Sequence, residues 1–382
     1  MFRTFVRSLG VALASVLLTL MAVPAQADSA LFQSPTQYPG LPGLGHGAVV
    51  SGDFNGDGSP DLAVVDLAAG GVRVLLNRCD GSFAPAAFYP TGAGAAAVTA
   101  ADFTAHGHID LVVANMLDST VVLLTNRGDG TFIRGATNPT SPLPGRILTA
   151  DFNGDGRPDL AIATSAPTDN VVVLLNQGGG RFVRSQTLTV GIGLNLIGLV
   201  ASMDTADVNG DHRPDLLVDD QLRGVVVLIG RGDGTFTRGA ILPIHLFESP
   251  AVGDLNHDGI VDVAIPDTFR NSVAVFLGRG DGTFAPTIVS TVNLRPGLAP
   301  TLTPEAAIAD FNGDGDPDLI VSGGTDRMVH IMLGDGTGQF TTTESYPAQI
   351  ARTIVVDDFN HDGRPDLAIT QALGGTEVLL HN

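Results

Sequence analysis

Short apolar segments of strand length, separated by polar turns, follow one another along most of the chain. In the first such unit, residues 48–54 lead into an Asp-rich loop, residues 61–66 lead out of it, and residues 72–77 follow a Gly-Gly turn. A fourth segment, residues 83–90, begins with a Phe after a further turn. Runs of this length, rich in Val and Leu and bounded by Gly, Asn and Asp, are typical of strands. The unit therefore predicts four antiparallel strands.

This unit recurs along the chain. Its loop pattern, Asp-apolar-Asn-Gly-Asp-Gly-x-Pro-Asp, begins with variation at seven positions: Asp53, Asp102, Asp151, Asp207, Asp254, Asp310 and Asp358. A Gly-Asp-Gly-Thr-Phe-like turn follows six of them and ends at Phe83, Phe132, Phe182, Phe236, Phe284 and Phe340. A small four-stranded sheet buries both faces only by stacking on its neighbours. We therefore predict an all-β fold, a seven-bladed β-propeller with four-stranded blades, over residues 28–382.

The two ends of the chain are predicted to share the last blade. The seventh repeat stops after its third strand, at residues 379–382, and lacks the Phe-led fourth strand. Residues 32–39, Phe-Gln-Ser-Pro-Thr-Gln-Tyr-Pro, have the same Phe-to-Tyr-Pro spacing as residues 83–90. We expect residues 31–39 to form the outer strand of blade seven, because a closed ring leaves no exposed inner sheet edge.

Residues 1–27 have the features of a signal peptide. Arg3 and Arg7 precede an apolar stretch at residues 9–23, and Ala25-Gln26-Ala27 is a small-x-small cleavage site. The apolar stretch is short for a membrane span, and no second one follows. We predict a secreted protein, extracellular or periplasmic, without membrane insertion.

The charge of the chain narrows the set of partners. The formal net charge is −20, and removal of Arg3 and Arg7 makes it −22. An acidic surface repels nucleic acid and anionic lipid, so neither is an expected partner. The single cysteine, Cys79, permits no intramolecular disulfide. Stability outside the cell must then come from the core, from bound metal, or from both.

The Asp-rich loops have the chemistry of calcium sites. In residues 53–61, oxygen-bearing side chains stand at positions one, three, five and nine, and the carbonyl of position seven can point the same way. Hard oxygen ligands without His or Cys favour calcium over zinc or copper. A plain turn needs one or two such residues, whereas three carboxylates within nine positions repel one another without a cation.

Six loops keep this pattern and predict about six calcium ions per chain. The predicted ligands, with position seven contributing its carbonyl, are Asp53, Asn55, Asp57, Ser59, Asp61, Asp151, Asn153, Asp155, Arg157, Asp159, Asp207, Asn209, Asp211, Arg213, Asp215, Asp254, Asn256, Asp258, Ile260, Asp262, Asp310, Asn312, Asp314, Asp316, Asp318, Asp358, Asn360, Asp362, Arg364 and Asp366. In the fourth loop His212 replaces the Gly of position six, which we expect to strain the bend.

The second loop departs from the pattern, with Asp102, Thr104, His106, His108 and Asp110. Because only two carboxylates remain, we predict that it binds calcium weakly or not at all. A zinc site formed by His106 and His108 is the alternative to two solvent-exposed turn histidines.

The Asp-x-Asn-x-Asp-Gly-x-Pro-Asp loops followed by Gly-Asp-Gly-Thr-Phe turns resemble FG-GAP (VCBS-type) repeats, which also build the calcium-binding propeller head of integrin α subunits. The resemblance covers nearly all of residues 28–382. It implies a seven-bladed propeller with calcium on the loop between the first two strands of each blade. It does not imply one function, since relatives include adhesion heads, lectins and propeller-type polysaccharide lyases.

A ligand is expected on the face opposite the calcium loops. Candidate residues are Asp118, Arg146, Asp169, Asp219, Asp220, Arg223, His245, Glu248, Asp267, Arg270, Glu305, Arg327 and Arg352. Mixed Asp and Arg suit a polar peptide or sugar. We expect a monomeric protein- or surface-binding module whose partner is an extracellular protein or polysaccharide.

Two alternatives to this interaction module stay open, a lectin and a polysaccharide lyase-type enzyme. The absence of Trp and the presence of only three Tyr count against a lectin. Catalysis is not expected, because no Ser-His-Asp spacing stands out and the paired carboxylates belong to the calcium loops.

Overall fold

Strands joined by tight turns account for the regular structure of this protein. The computed structural model describes residues 30–38, 46–165, 170–191, 202–220, 223–244, 249–267, 270–292, 305–323, 327–348, 351–371 and 375–382. Within these ranges there is no helix long and apolar enough to cross a bilayer. The predicted signal peptide, residues 1–27, lies outside them.

The strands of blades one to four, in chain order after the N-terminal strand β1 (Thr36–Tyr38), are β2 (His46–Gly52), β3 (Asp61–Asp66), β4 (Gly71–Leu75), β5 (Ala87–Pro90), β6 (Ala95–Ala101), β7 (Asp110–Asn115), β8 (Thr120–Asn126), β9 (Phe132–Pro139), β10 (Pro144–Ala150), β11 (Asp159–Thr164), β12 (Asn170–Asn176), β13 (Phe182–Thr189), β14 (Met203–Ala206), β15 (Asp215–Asp220), β16 (Gly224–Gly230) and β17 (Phe236–Leu242). Those of blades five to seven are β18 (Ala251–Gly253), β19 (Asp262–Asp267), β20 (Ser272–Phe276), β21 (Ile288–Thr291), β22 (Ala306–Ala309), β23 (Asp318–Gly323), β24 (Met328–Gly334), β25 (Phe340–Pro347), β26 (Ala351–Asp357), β27 (Asp366–Gln371) and β28 (Thr376–Leu379).

These strands form seven four-stranded antiparallel sheets. Six sheets take four consecutive strands each, in the orders β2-β3-β4-β5 through β22-β23-β24-β25. The first strand of every blade contacts the first strand of the next, and β26 contacts β2. The ring is therefore closed, and the predicted seven-bladed β-propeller is confirmed.

Blade seven is completed by the N-terminal strand, as expected. Its order is β1-β28-β27-β26, with Thr36 opposite Val378 and Tyr38 opposite Thr376. Phe32 forms a further bridge to His381. Pro39, the end of the predicted segment, lies outside the described residues.

Buried aromatic rings join each blade to its neighbour. The Phe at position two of five loops is at most 2% exposed, at Phe54, Phe103, Phe152, Phe311 and Phe359. Four of these rings lie edge-to-face on the Phe that opens the outer segment of the next blade, with centroids 5.4–5.8 Å apart. Such pairs add stability beyond the area they bury.

Phe32 provides this contact for blade seven. Its ring lies 5.9 Å from that of Phe311 in blade six and 5.3 Å from that of His381, both edge-to-face. The N-terminal segment therefore supplies both the missing strand and the missing aromatic contact.

Candidate metal loops and the opposite face

Every nine-residue loop joins the first strand of a blade to the second. Because all blades share one strand order and their first strands lie side by side, the seven loops open on one side of the ring, here called the loop face. The hairpins between second and third strands and the connections between blades lie on the other side, here called the far face.

The carboxylate of position one organises each loop by accepting backbone N–H groups. In the first loop, Asp53 Oδ1 accepts from Gly56 N at 2.7 Å and Asp57 N at 3.2 Å, and Oδ2 accepts from Gly58 N at 2.9 Å. The position-six residue has a positive φ in all seven loops, including 62° at His212. His212 therefore has the left-handed backbone conformation expected at position six. Gly adopts this conformation more easily than a residue with a Cβ atom does.

Positions three, five and seven form a second set of contacts. In the first loop Asn55 Oδ1 accepts from Asp57 N at 2.9 Å, and Asp57 Oδ1 accepts from Ser59 N at 2.8 Å. Where position seven is Arg, its guanidinium pairs with the position-five carboxylate, as Arg364 does with Asp362 at 2.8 Å. These arginines lower the negative charge at the rim of their loops.

The carboxylate of position nine is buried and fastens the loop to the blade. Asp61 is fully buried; its Oδ2 accepts from Phe54 N at 2.9 Å and its Oδ1 from Asn77 N, just after the third strand, at 2.7 Å. The sequence pattern marked this residue as a metal ligand and did not reveal this structural role.

Burial raises the pKa of Asp61 to about 6, and the charges of Asp57 and Asp53 add to the rise although the two N–H donors oppose it. The pKa is raised to about 6 for the same reason at Asp159, Asp215 and Asp366. Burial also raises the pKa of Asp262 and of Asp318. The position-nine carboxyl therefore ionises less readily than a free Asp, and a cation close to it would favour its charged form.

The donors of the six complete loops fit calcium in kind. All are oxygens, and each carboxylate oxygen has two acceptor sites, so the N–H bonds described above leave capacity for an ion. The charged side chains of these loops do not converge to within 4.8 Å of one another as a set of three. Calcium binding by the thirty predicted ligands stays a prediction.

The second loop brings three ionisable side chains together. Asp102, His106 and Asp110 each place one ligand atom within 4.8 Å of the others, the one such group of His, Cys, Asp or Glu in the part of the chain that the structure describes. His108 is not a member; its ring lies edge-to-face on that of His106, with centroids 5.1 Å apart. The zinc site considered in the sequence analysis combined His106 with His108 instead.

A buried Asn at the end of the third strand was missed by the sequence analysis. Asn126 Nδ2 donates to Ile109 O in its own blade at 2.9 Å and to Phe54 O in the preceding blade at 2.8 Å. Asn77 and Asn176 make equivalent bonds. The signal available in the sequence was the Asn that precedes the turn between the third and fourth strands in blades one to three.

On the far face, several predicted ligand residues stabilise hairpins. Asp219, Asp220 and Asp267 are buried, and Arg270 lies 3.4 Å from Asp267. The remaining hairpin candidates are Asp118, which accepts from Ala93 N at 2.6 Å, Arg223, which lies 3.9 Å from Asp220, and Arg327, which is exposed with φ 61°. Asp169, His245 and Glu248 lie outside the described residues. Ligand binding by these residues stays a prediction.

Two of the predicted ligand residues lie on the innermost strands of their blades. Arg146 belongs to β10 and Arg352 to β26. Arg146 Nη1 is 2.9 Å from Glu305 Oε1, and Glu305 directly precedes β22. Because β10 and β22 belong to blades three and six, this ion pair crosses the centre of the ring. Sequence spacing did not anticipate it, since the partners are 159 residues apart.

Asp204 on β14 faces the same ion pair. Burial raises the pKa of Asp204 to about 6; the N–H of Thr205 and the charge of Arg146 oppose the rise, and Glu305 adds to it. The centre of the ring thus contains a carboxyl group whose pKa is raised to about 6.

A groove of about 510 Å³ lies on the far face between blades one and two. Its wall is mainly small and apolar, with Leu67, Ala69 and Leu117 beside two charged residues, Asp118 and Arg134. Arg134 donates to the carbonyl of Pro90 at 3.2 Å, which fixes the connection between the blades. Leu117 is 66% exposed at the rim.

The closed ring and its repeated loops define a seven-bladed β-propeller built from sequence repeats. The FG-GAP-like repeat family matches the chain at residues 53–113, 102–162, 151–218, 254–321 and 310–369. These stretches cover more than half of the sequence, and the chain belongs to the FG-GAP-like repeat family. No curated protein sequence matches it.

Solved structures share the fold. A lectin from Agrocybe aegerita, described as recognising non-reducing terminal N-acetylglucosamine, is 21% identical with TM-score 0.55 and covers 80% of this chain and 81% of its own. BBS1N, solved in complex with ARL6DN, is 11% identical with TM-score 0.61 and covers 92% and 97%. A protein from Lactobacillus plantarum is 12% identical with TM-score 0.55 and covers 86% and 89%. At these identities the likeness shows the fold alone.

Proposed function

We propose that this chain is an exported, calcium-stabilised propeller that binds a protein partner through the far-face groove between blades one and two. An FG-GAP propeller fits a protein-interaction module. The observation that carries the proposal is the groove itself, an open depression of about 510 Å³ with small apolar residues, two charged side chains and an exposed leucine at its rim. Apolar depressions with a few fixed polar groups are typical of binding sites.

The chemistry of the groove suits a peptide segment. Leu117 offers an unburied apolar side chain, and such anchors contribute most where a partner excludes water from them. Asp118 and Arg134 are held by backbone groups of the connection between blades, at Ala93 N and Pro90 O. The charges are therefore positioned before a partner arrives, which reduces the entropy lost on binding.

Calcium and export enter the proposal from the sequence and the loops. Six loops place oxygen ligands on a face where the buried position-nine carboxylates have raised pKa values, such as about 6 for Asp61. Extracellular calcium modules bind with Kd of roughly 10⁻⁴ to 10⁻³ M, which matches calcium concentrations outside the cell. Removal of residues 1–27 by a signal peptidase would deliver the propeller there.

The groove is tested with residues 28–382 used as bait against extracellular proteins in calcium-containing buffer. Leu117→Lys is the test variant, and Ile133→Lys, at a 48% exposed position of β9, is the matched control. We expect the captured partner to be lost with L117K and kept with I133K. Equal capture by both variants would remove the groove from the proposal.

Carbohydrate binding is the second candidate function. The Agrocybe aegerita lectin, whose fold this chain shares, supports it. A glycan array that includes terminal N-acetylglucosamine decides between the two, because a lectin binds glycans in the absence of any protein partner. Binding that is saturable and competed by free sugar would favour the lectin, and a blank array favours the protein-binding module.

A further inference from the structure

The second loop keeps the backbone of a metal loop but has changed its ligands. Asp102 Oδ1 accepts from His106 N at 3.1 Å and Oδ2 accepts from Gly107 N at 2.8 Å, the same bonds that Asp53 makes in the first loop. Ala105 and Gly107 have positive φ values of 57° and 86°, so the bend is preserved. Position five, an Asp in the other loops, is His106.

The orientation of the His106 ring follows from its neighbours. Nε2 lies 2.9 Å from Asn126 O, and a carbonyl can only accept, so Nε2 carries a proton. Nδ1 lies 3.2 Å from Asp102 Oδ1 and 3.0 Å from Thr104 Oγ1. The Thr104 hydroxyl donates its own proton to Asp110 Oδ2 at 2.8 Å. With the single hydroxyl proton donated to the Asp110 carboxylate, which can only accept, the lone pair of Nδ1 in the neutral ring faces lone pairs of both oxygens.

Such an arrangement is repulsive unless a positive charge lies among the three atoms. A metal ion bound to Nδ1 and Asp102 Oδ1 removes the repulsion. A histidine that binds a metal through one ring nitrogen usually donates the other N–H to a carbonyl or carboxylate, as His106 does to Asn126. From this geometry we infer that the second loop is a zinc site with Asp102 and His106 as ligands. Asp110 lies beside them, with one carboxylate oxygen within 4.8 Å of a ligand atom of each.

The ligand set selects zinc over calcium. An imidazole nitrogen with carboxylate oxygens suits zinc, whereas calcium prefers six to eight oxygens. The side chains of His106 and Asp102 are 32% and 34% exposed, so water can complete a four-coordinate ion. His108 packs on the His106 ring and does not bind the ion. The inference depends on this loop alone and not on calcium in the other six.

The test measures zinc binding to the untagged, chelator-stripped chain of residues 28–382 by calorimetry with zinc chloride, in a large excess of calcium. We expect a single zinc ion per chain. His106→Gln should weaken binding by more than about 100-fold, since loss of an outer-shell partner alone weakens metal affinity about 10–100-fold. Thr104→Val should weaken zinc binding by about 10–100-fold. His257→Gln is the matched control, because His257 also lies in a metal loop but pairs with Asp316 and should not affect the titration.

A second variant keeps the test decisive if H106Q is unstable. His106→Asp restores the residue of the other loops, and we expect it to lose zinc and keep its fold. The competing arrangement is a protonated His106 ring, an imidazolium, whose own positive charge takes the place of the metal ion. Long-range ¹H–¹⁵N spectra distinguish the two, because an imidazolium carries protons on both nitrogens of His106 in the metal-free protein near pH 7.5. Protons on both nitrogens of His106, with no change of its ¹⁵N signals when zinc is added, would overturn the inference. Equal zinc binding by wild type and H106Q would also overturn it.

Discussion

Phe32→Ala tests whether the N-terminal segment closes the ring. The Phe32 side chain is 2% exposed and contacts three rings edge-to-face, those of Phe311, Tyr346 and His381, at 5.3–5.9 Å. Its neighbours in the chain are tied to the C-terminus, with Gln33 N donating to Leu380 O and Asn382 N donating to Leu31 O, both at 2.8 Å.

The expected loss comes from the burial of this one ring. Truncating a buried Phe to Ala costs about 3–5 kcal/mol. Edge-to-face contacts each add about 0.5–1.5 kcal/mol beyond area burial, so the three contacts of Phe32 place it at the upper end, about 4–5 kcal/mol. Against a typical folding free energy of about 5–15 kcal/mol, this is a large part of the stability.

Urea unfolding followed by circular dichroism, in calcium-containing buffer, measures the loss. Ile133→Ala, at a 48% exposed position on the outer strand of blade two, is the control and should change the free energy of unfolding by about 0.5 kcal/mol or less. Hydrogen exchange supplies a local readout, because amides of β28 (Thr376–Leu379) pair with β1 and should lose protection in F32A. If F32A and I133A unfold at the same urea concentration with β28 still protected, the ring is not held closed by this segment.

Three further outcomes are expected. Chelation of calcium should lower the melting temperature, and metal analysis should find about six calcium ions. The chelated protein should also lose stability as pH rises through about 6. The reason is that Asp61 and its counterparts have a higher pKa in the folded than in the unfolded chain, so their deprotonation favours the unfolded chain. An unchanged melting temperature would contradict the loop assignment. Asp204, whose pKa is raised from 3.8 to about 6, makes the protein less stable by about 1–3 kcal/mol between pH 4 and pH 7; Asp204→Asn should remove that part of the pH dependence in urea titrations, and identical pH profiles would speak against it. Asn126→Ala should lower the free energy of unfolding by about 1–3 kcal/mol because two buried carbonyls lose their donor, whereas Asn138→Ala, in the outer strand of the same blade, should have little effect.

The sequence predicted the fold because the repeats are long enough to contain whole blades. The second strand of blade one was expected at residues 61–66 and occupies Asp61–Asp66. The outer strand was expected at residues 83–90 but is Ala87–Pro90, preceded by a single bridge between Phe83 and Asn77. The cause is Pro85, which has no N–H to donate to the neighbouring strand.

The outer strand also starts late in the two other blades that have a Pro two or three residues after the Phe of the outer segment. Pro286 delays β21 to Ile288, and Pro35 delays β1 to Thr36. In contrast, β9 and β25 have no Pro at these positions and begin directly at Phe132 and Phe340. These prolines are visible in the sequence, so the late start of the three strands is predictable from it.

Features that depend on the curvature of the ring could not be read from spacing. The pair of Arg146 and Glu305 forms only because two innermost strands, three blades apart, face each other across the centre. The raised pKa of Asp204 depends on that same enclosure. Asn126 illustrates a weaker limit: its position before a turn was visible, but its bond to the preceding blade requires knowledge of how blades stack.

The loop residues divide by task, which explains how the second loop changed its chemistry and kept its blade. Asp102 and Asp110 sit at positions one and nine, and both accept backbone N–H groups: Asp102 from His106 and Gly107, and Asp110 from Asn126 N at 2.9 Å, as Asp61 does from Asn77. In the first loop the side chains of positions three and five bond within the loop, so Thr104 and His106 can replace Asn and Asp at these positions without loss of the bend. A repeat under these constraints can vary the side chains of positions three and five more easily than it can vary its fold.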